Sequence, residues 1–273
     1  MTEETPRYSG TLAVIGGGRM GEAIVGGLVR SGAVPAARIS VVEPDKARRE
    51  ALAAAFGVRC VADGTEALPA DTVILAVKPQ VIDAVATALS SALSGSLVVS
   101  IAAGVSCARL EAVLPSDSPV VRVMPNTPAL VGAGMSVISS GSDATAEQTE
   151  LVRGLFSALG KAIVLDERYQ DAAAAISGSG PAYFALVINA LSRGGVRQGL
   201  PRGVAEELAV QTMLGTAKLL AETGTHPEAL VDGVTSPGGT TIAAIEALES
   251  RAVRSAFAEA VAAAVKRAKE LGS

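Results

Sequence analysis

Apolar residues recur in two rhythms in this chain, and the change from one to the other divides it. Up to residue 166, short runs rich in Val and Ile alternate with stretches whose apolar residues return every three or four positions. The runs at 11–15, 39–43, 72–77, 97–101, 120–124, 135–139 and 162–165 read as strands. The stretches at 20–31, 46–56, 80–93 and 146–159 read as helices between them. Such alternation builds βαβ units around a mostly parallel sheet. Thr145, with Gln148 three residues on, forms a capping box for the last of those helices. After Asp166 the strand rhythm stops. Helical runs follow at 168–176, from Pro181, from Pro201, and at 227–231, 241–248 and 251–271. Each of those prolines, and Pro227, suits a first helical turn, and Gly272 suits a stop. The expected fold class is α/β, with an α/β domain over 1–166 and an all-helical domain over 167–273.

Composition narrows the choices. With 273 residues, 49% apolar and 18% charged, the chain can bury a real core. No uncharged run reads as long enough to span a bilayer. The start carries Glu3 and Glu4 in place of a basic, apolar leader, so neither a membrane anchor nor a secretory signal is expected. Cys60 and Cys107 lack metal-ligand spacing and read as small buried residues in a reducing cytoplasm, so no metal is expected. A net charge of −4 and 3% aromatic residues argue against nucleic acid as a partner. Helices rich in Ala and Gly pack closely and often extend a core across a subunit interface, which hints at an oligomer. His226, the single histidine, stands before Pro227 at a helix start and reads as a local structural residue. A Ser-His-Asp triad or a multi-histidine zinc site would need it, so the chemistry is expected to run without a histidine.

Gly16-Gly17-Gly18-Arg19-Met20-Gly21 follows the first strand and opens a helix, as a dinucleotide fingerprint requires. Gly16 makes the tight turn, Gly18 admits a pyrophosphate to the helix start beside Arg19 and Met20, and Gly21 lets the helix pack on the strand. Glu43 ends the next strand about 20 residues later, where an acidic residue meets the adenosine ribose. A carboxylate there favours NADH, but Lys46, Arg48 and Arg49 could offset its repulsion of a 2′-phosphate, or simply form a solvated helix face. NADPH and NADH both remain open. Ala76, Val77, Lys78 and Pro79 end a central strand, and Ala102, Ala103 and Gly104 end the next; both lie where open α/β sheets bind ligands. Two prolines fix Asn126 near the same crevice. The segment Ser177-Gly178-Ser179-Gly180-Pro181-Ala182-Tyr183 reads as a hinge with packing duties, or as a second polar helix start. Thr235-Ser236-Pro237-Gly238-Gly239-Thr240-Thr241 reads as a tight loop opening into a helix. It is either an anion-binding helix start or a plainly capped one.

Taken together, these motifs resemble pyrroline-5-carboxylate reductase, in order and spacing over essentially the whole chain. The Ser-Pro-Gly-Gly-Thr-Thr and Ser-Gly-Ser-Gly-Pro-Ala-Tyr segments are the specific parts. The resemblance implies a Rossmann-type dinucleotide-binding domain followed by an all-helical dimerisation domain. It implies NADPH- or NADH-dependent reduction of L-1-pyrroline-5-carboxylate to L-proline, by a homodimer that often builds a decamer. It also implies cofactor contacts at Ala76, Val77, Lys78, Pro79, Ala102 and Ala103, and substrate contacts at Gly238, Gly239, Thr240 and Thr241. The chemistry of the residues agrees. Backbone N–H groups of the loop, with Ser236 at its start, suit a carboxylate, and the Thr241 hydroxyl, the catalytic candidate, is placed to hydrogen-bond the imine nitrogen. A 3-hydroxyacid dehydrogenase using Lys218, or a sensor that binds dinucleotide without turnover, are the competing readings.

Overall fold

The computed structural model describes residues 8–272. They form two compact units: residues up to Ser179 together with those from Ala264 onward, and Gly180–Ala263. The first unit is built on strands β1 (Leu12–Ile15), β2 (Ile39–Val42), β3 (Arg59–Val61), β4 (Thr72–Leu75), β5 (Leu97–Ser100), β6 (Val120–Met124), β7 (Gly134–Ser140) and β8 (Gly160–Val164). Its helices are α1 (Arg19–Arg30), α2 (Lys46–Phe56), α3 (Ile82–Leu93), α4 (Cys107–Glu111), α5 (Ala146–Ser157) and α6 (Gln170–Ser177). All eight strands join one sheet in the order β3-β2-β1-β4-β5-β6-β7-β8. Every pair is parallel except β6 with β7, so the mostly parallel sheet is as the sequence rhythm predicts.

Alternation along β1 shows why both faces are covered. Leu12 and Val14 enter one apolar layer with Ile24 and Leu28 of α1 and Phe156 of α5. Ala13 and Ile15 enter the other with Ile82, Leu89 and Leu93 of α3. Burying each large aliphatic side chain stabilises the fold by about 1.5–3 kcal/mol. The chain leaves β1 toward β2 on one side and reaches β4 on the other. Its C-terminal end is therefore a topological switch point, where such sheets open a crevice. The capping box of α5 is present: Gln148 N–H donates to Thr145 Oγ1 at 3.2 Å, and Thr145 N–H donates to Gln148 Oε1 at 2.9 Å.

Two short elements escape the sequence rhythm. β3 has three residues at the sheet edge, with Arg59 exposed, and α4 has one turn and a half. Cys107 is buried as expected, but Cys60 lies on that edge strand and is only half-buried.

The second unit holds α7 (Gly180–Arg197), α8 (Arg202–Thr223), α9 (Pro227–Gly233), α10 (Thr240–Glu249) and most of α11 (Val253–Gly272). Gly195 of α7 lies against α8, where a Cβ would sit 3.2 Å from Ala205 Cβ. Elsewhere on these two helices Phe184, Leu186, Leu191, Leu208 and Leu214 are exposed. The expectation that no uncharged run is long enough to span a bilayer fails here. No charged residue lies between Asp171 and Arg193, and Glu167–Arg197 is long and apolar enough by length and composition. Only 11% of its most apolar 18 residues is buried within the chain.

Candidate active site

The glycine turn after β1 is shaped by close approach. Gly16 has φ +113°, and a Cβ there would lie 2.6 Å from the Ala76 carbonyl oxygen. A Cβ on Gly21 would collide with the Gly16 carbonyl, so α1 can pack on β1 only without one. Gly18 differs. It is the N-cap of α1, no side chain caps it, and a Cβ there would meet nothing within 4 Å. Gly18 and Arg19 are exposed and Met20 is partly so. An uncapped helix start facing open space is what a dinucleotide pyrophosphate needs, so the residues present fit that group.

Three further segments gather at the C-terminal ends of the central strands. Ala76, Val77 and Pro79 are half-buried after β4, and Lys78 is exposed at the entry to a 3-10 turn, Pro79–Val81. After β5, Ala102 is buried and its N–H donates to Ser100 Oγ at 3.3 Å, while Ala103 is exposed. A cavity of about 330 Å³ opens beside Ala103 and Gly104, with Arg122, Asp171 and Arg267 among its walls. The larger hollow of this unit, about 1130 Å³, lies at the opposite ends of the strands, by Gly10, Thr72 and Leu97. The second shares no lining residue with the fingerprint or with the bends after β4 and β5.

Asn126 follows β6 and is 9% exposed. Its Nδ2 donates to the Ser177 carbonyl at 2.9 Å and its Oδ1 accepts Met135 N–H at 2.8 Å. The amide thus ties the start of β7 to the end of α6.

A partly buried network here has no signature in the sequence. Glu167 Oε1 accepts from Arg122 Nη1 at 3.1 Å and from Cys107 N–H at 2.9 Å. Arg122 Nη2 lies 3.6 Å from Asp171 Oδ1. Glu167 therefore pins the first turn of α4, directly after the Ala102–Gly104 bend. Burial, with the nearby Glu167 carboxylate, pushes the Cys107 thiol up to about 12. No motif spacing flags partners 45 and 60 residues apart.

In the second unit, Gly239 N–H donates to the Ser236 carbonyl at 3.0 Å, closing a turn over Pro237 and Gly238. Gly238 has φ +65°, the left-handed value that the third position of such a turn requires. A Cβ on Gly239 would collide with Ser236 Oγ. Gly239 is the N-cap of α10 and no side chain caps that helix. Thr235 turns its hydroxyl back to the Val231 carbonyl at 2.7 Å. The hydroxyls of Ser236, Thr240 and Thr241 have no hydrogen-bond partner among the described residues. Free hydroxyls and free N–H groups thus meet at one helix start. His226 is engaged locally, its Nδ1 accepting Glu228 N–H at 3.2 Å as the N-cap of α9.

This geometry has close counterparts. The chain is 47% identical over 262 residues to a pyrroline-5-carboxylate reductase of Synechocystis, covering 96% of this chain and 98% of that one. The chain belongs to the pyrroline-5-carboxylate reductase family. Residues 167–271 match the model described as pyrroline-5-carboxylate reductase dimerisation. Residues 11–104 match the one described as NADP oxidoreductase, coenzyme F420-dependent. A reductase of the family from Arabidopsis thaliana is 45% identical, covering 97% of each chain. Among solved structures, a pyrroline-5-carboxylate reductase from Coxiella burnetii superposes with TM-score 0.92 at 38% identity, covering 97% of this chain and all of that one. A pyrroline carboxylate reductase from Plasmodium falciparum with NADP bound superposes with TM-score 0.89 at 29% identity, covering 98% and 100%. Members of this family are NAD(P)-dependent oxidoreductases, and the first unit carries the corresponding Rossmann-type sheet.

Proposed function

We propose that this chain reduces L-1-pyrroline-5-carboxylate to L-proline, the final step of proline biosynthesis, with the following division of labour. Residues 1–166 hold NADPH or NADH, through Gly16, Gly18, Arg19, Met20 and Glu43 on the adenosine and pyrophosphate side. Ala76, Val77, Lys78, Pro79, Ala102 and Ala103 serve the nicotinamide side. Asn126 shapes that end of the crevice by holding β7 and α6 in register. Residues 167–273 hold substrate and form the dimer. The bound dinucleotide supplies a hydride to the C=N carbon. Backbone N–H groups at Gly238, Gly239 and Thr240, with the Ser236 hydroxyl, hold the substrate carboxylate. The Thr241 hydroxyl oxygen accepts a hydrogen bond from the ring N–H of the protonated imine and sets the face that is presented. A protonated imine is already electrophilic, so positioning and polarisation suffice and no histidine is needed.

The observation that carries this reading is the loop at α10, an uncapped helix start with three unengaged hydroxyls in the family's Ser-Pro-Gly-Gly-Thr-Thr segment. We assign the apolar Glu167–Arg197 stretch to the subunit interface of a homodimer, the unit from which a decamer is built, and not to a membrane. Two unpaired cysteines suit the cytoplasm, and the acidic balance leaves nucleic acid without a basic face. The test is an assay of nicotinamide oxidation with pyrroline-5-carboxylate, with proline identified among the products. Substrate-dependent oxidation is expected. Dinucleotide binding without turnover would replace the enzyme reading with a sensor, and turnover of 3-hydroxyacids alone would replace the substrate.

A further inference from the structure

Glu43 is built into the glycine turn as well as into the place where a ribose lies. One carboxylate oxygen accepts Gly17 N–H at 3.1 Å and the other accepts Asp45 N–H at 3.0 Å. A Cβ on Gly17 would lie 3.0 Å from both Glu43 Cβ and Glu43 Oε2, so the turn is moulded on this side chain. The carboxylate is thereby held, partly exposed, at the C-terminal end of β2.

Two of the cations beside that corner, Arg48 and Arg49, are committed elsewhere. Arg48 Nε donates to the Gly17 carbonyl at 2.8 Å, and its Nη2 donates to Glu22 Oε2 at 2.6 Å. Arg49 Nη1 donates to the carbonyl oxygens of Glu43 and Pro44 at 2.8 and 2.7 Å. Lys46 is exposed, 3.8 Å from Glu50. The start of α2 is the other natural anion seat, and it is taken: Asp45 caps it, accepting Arg48 N–H at 2.7 Å. A 2′-phosphate entering this corner meets two carboxylates and must draw a guanidinium away from its partners. A free 2′-hydroxyl instead donates a hydrogen bond to Glu43.

We infer that this enzyme selects NADH over NADPH, with Glu43 as the residue that discriminates at the ribose 2′ position. The inference rests on the reductase reading only for its turnover arm. Binding to the full-length protein tests it directly, by calorimetry with ADP-ribose and with its 2′-phosphate. The wild type binds ADP-ribose more tightly by at least ~10-fold, a modest charge effect for a partly solvated corner. Glu43→Gln keeps an acceptor for Gly17 N–H but removes the charge. It raises affinity for the 2′-phosphate about 10-fold while holding ADP-ribose within a few-fold. Glu22→Gln frees Arg48 without touching Glu43 and raises 2′-phosphate affinity by a smaller factor, which guards against a Glu43 variant that fails to fold.

The ratio of kcat/KM for NADH and NADPH follows the same order in all three proteins. Tighter binding of the 2′-phosphate by the wild type overturns the inference, as does a ratio unmoved in both variants. A wild type that reduces the imine best with NADPH leaves the reductase standing and removes the selectivity. One that prefers ADP-ribose but reduces nothing does the reverse.

Discussion

The two units place the same kinds of residue in opposite surroundings. In the first, Leu28 and Ile74 are 0% exposed, and the central strands β1, β4 and β5 bury both of their faces within the chain. In the second, Leu186 is 68% exposed and Phe184 is 60% exposed, while the buried apolar residues of α7 and α8 are the small Ala205 and Ala209. The polar groups divide likewise. Arg122, Glu167 and Asn126 are satisfied inside the first unit, whereas the Thr240 and Thr241 hydroxyls have no partner among the described residues. The central sheet of the first unit is closed within the single chain, although Val131, Ile163, Val164 and Ile176 of that unit are exposed. The second leaves large apolar side chains open, in keeping with its match to the family's dimerisation model.

Four measurements press on that contrast, taken from the largest effect downward. Leu191→Glu with Leu208→Glu places two carboxylates on the open helical face. Each buried, unpaired charge costs about 3–5 kcal/mol, so association weakens by more than ~100-fold. Sedimentation shows monomer and turnover is lost, while dinucleotide still binds. An unchanged oligomer would return this face to solvent. Ile74→Ala acts on the closed core and lowers unfolding stability by about 2–5 kcal/mol, read from denaturant midpoints, with no change in subunit association in the folded protein. Should it dissociate the oligomer as readily as the first pair, the two units are not independent in this sense.

The third change removes one unengaged hydroxyl. Thr241→Ala lowers kcat/KM by ~10–100-fold, the loss of about 1.4–2.7 kcal/mol of positioned hydrogen bonding, with melting behaviour unaltered. Equal loss of stability would make Thr241 structural.

The smallest effect concerns the cysteines. At about pH 8 iodoacetamide alkylates half-buried Cys60 in the native protein and spares Cys107, which reacts only on unfolding. Burial raises both thiols, Cys107 to about 12. Above about pH 9 the unfolded Cys107 thiol ionises while the folded one keeps its proton, so native stability falls between there and pH 12. Rapid native labelling of Cys107 would contradict its burial.

What could be read from the sequence follows the range of the forces involved. Strand alternation, the Thr145 capping box and the glycine fingerprint are set by neighbours a few residues apart, and each is found where the residues indicate. β3 was illegible because three edge residues, one of them an exposed arginine, carry no apolar period. The uncharged stretch before Arg193 does not read as one long apolar run because Gly178, Gly180 and Pro181 interrupt it without adding charge. In the candidate site, the loop at 235–241 is recognisable from its turn residues. That Thr235 bonds backward while Thr241 stays free depends on rotamers that spacing does not encode. Glu43 was legible as a ribose partner, but its bond to Gly17 joins residues 26 apart and emerges only when β1 and β2 pair.

The return of the chain to its first unit has a consequence for synthesis. Ala264, Arg267 and Ala268 form part of the wall around the cavity at Ala103 and Gly104. A nascent chain that has emerged only through β8 holds every strand of the sheet yet lacks that wall. The cavity beside Ala103 and Gly104 therefore cannot be walled until the helices of the second unit have left the ribosome. A truncated product would be a folded sheet with an open flank, visible to proteases and idle as a catalyst.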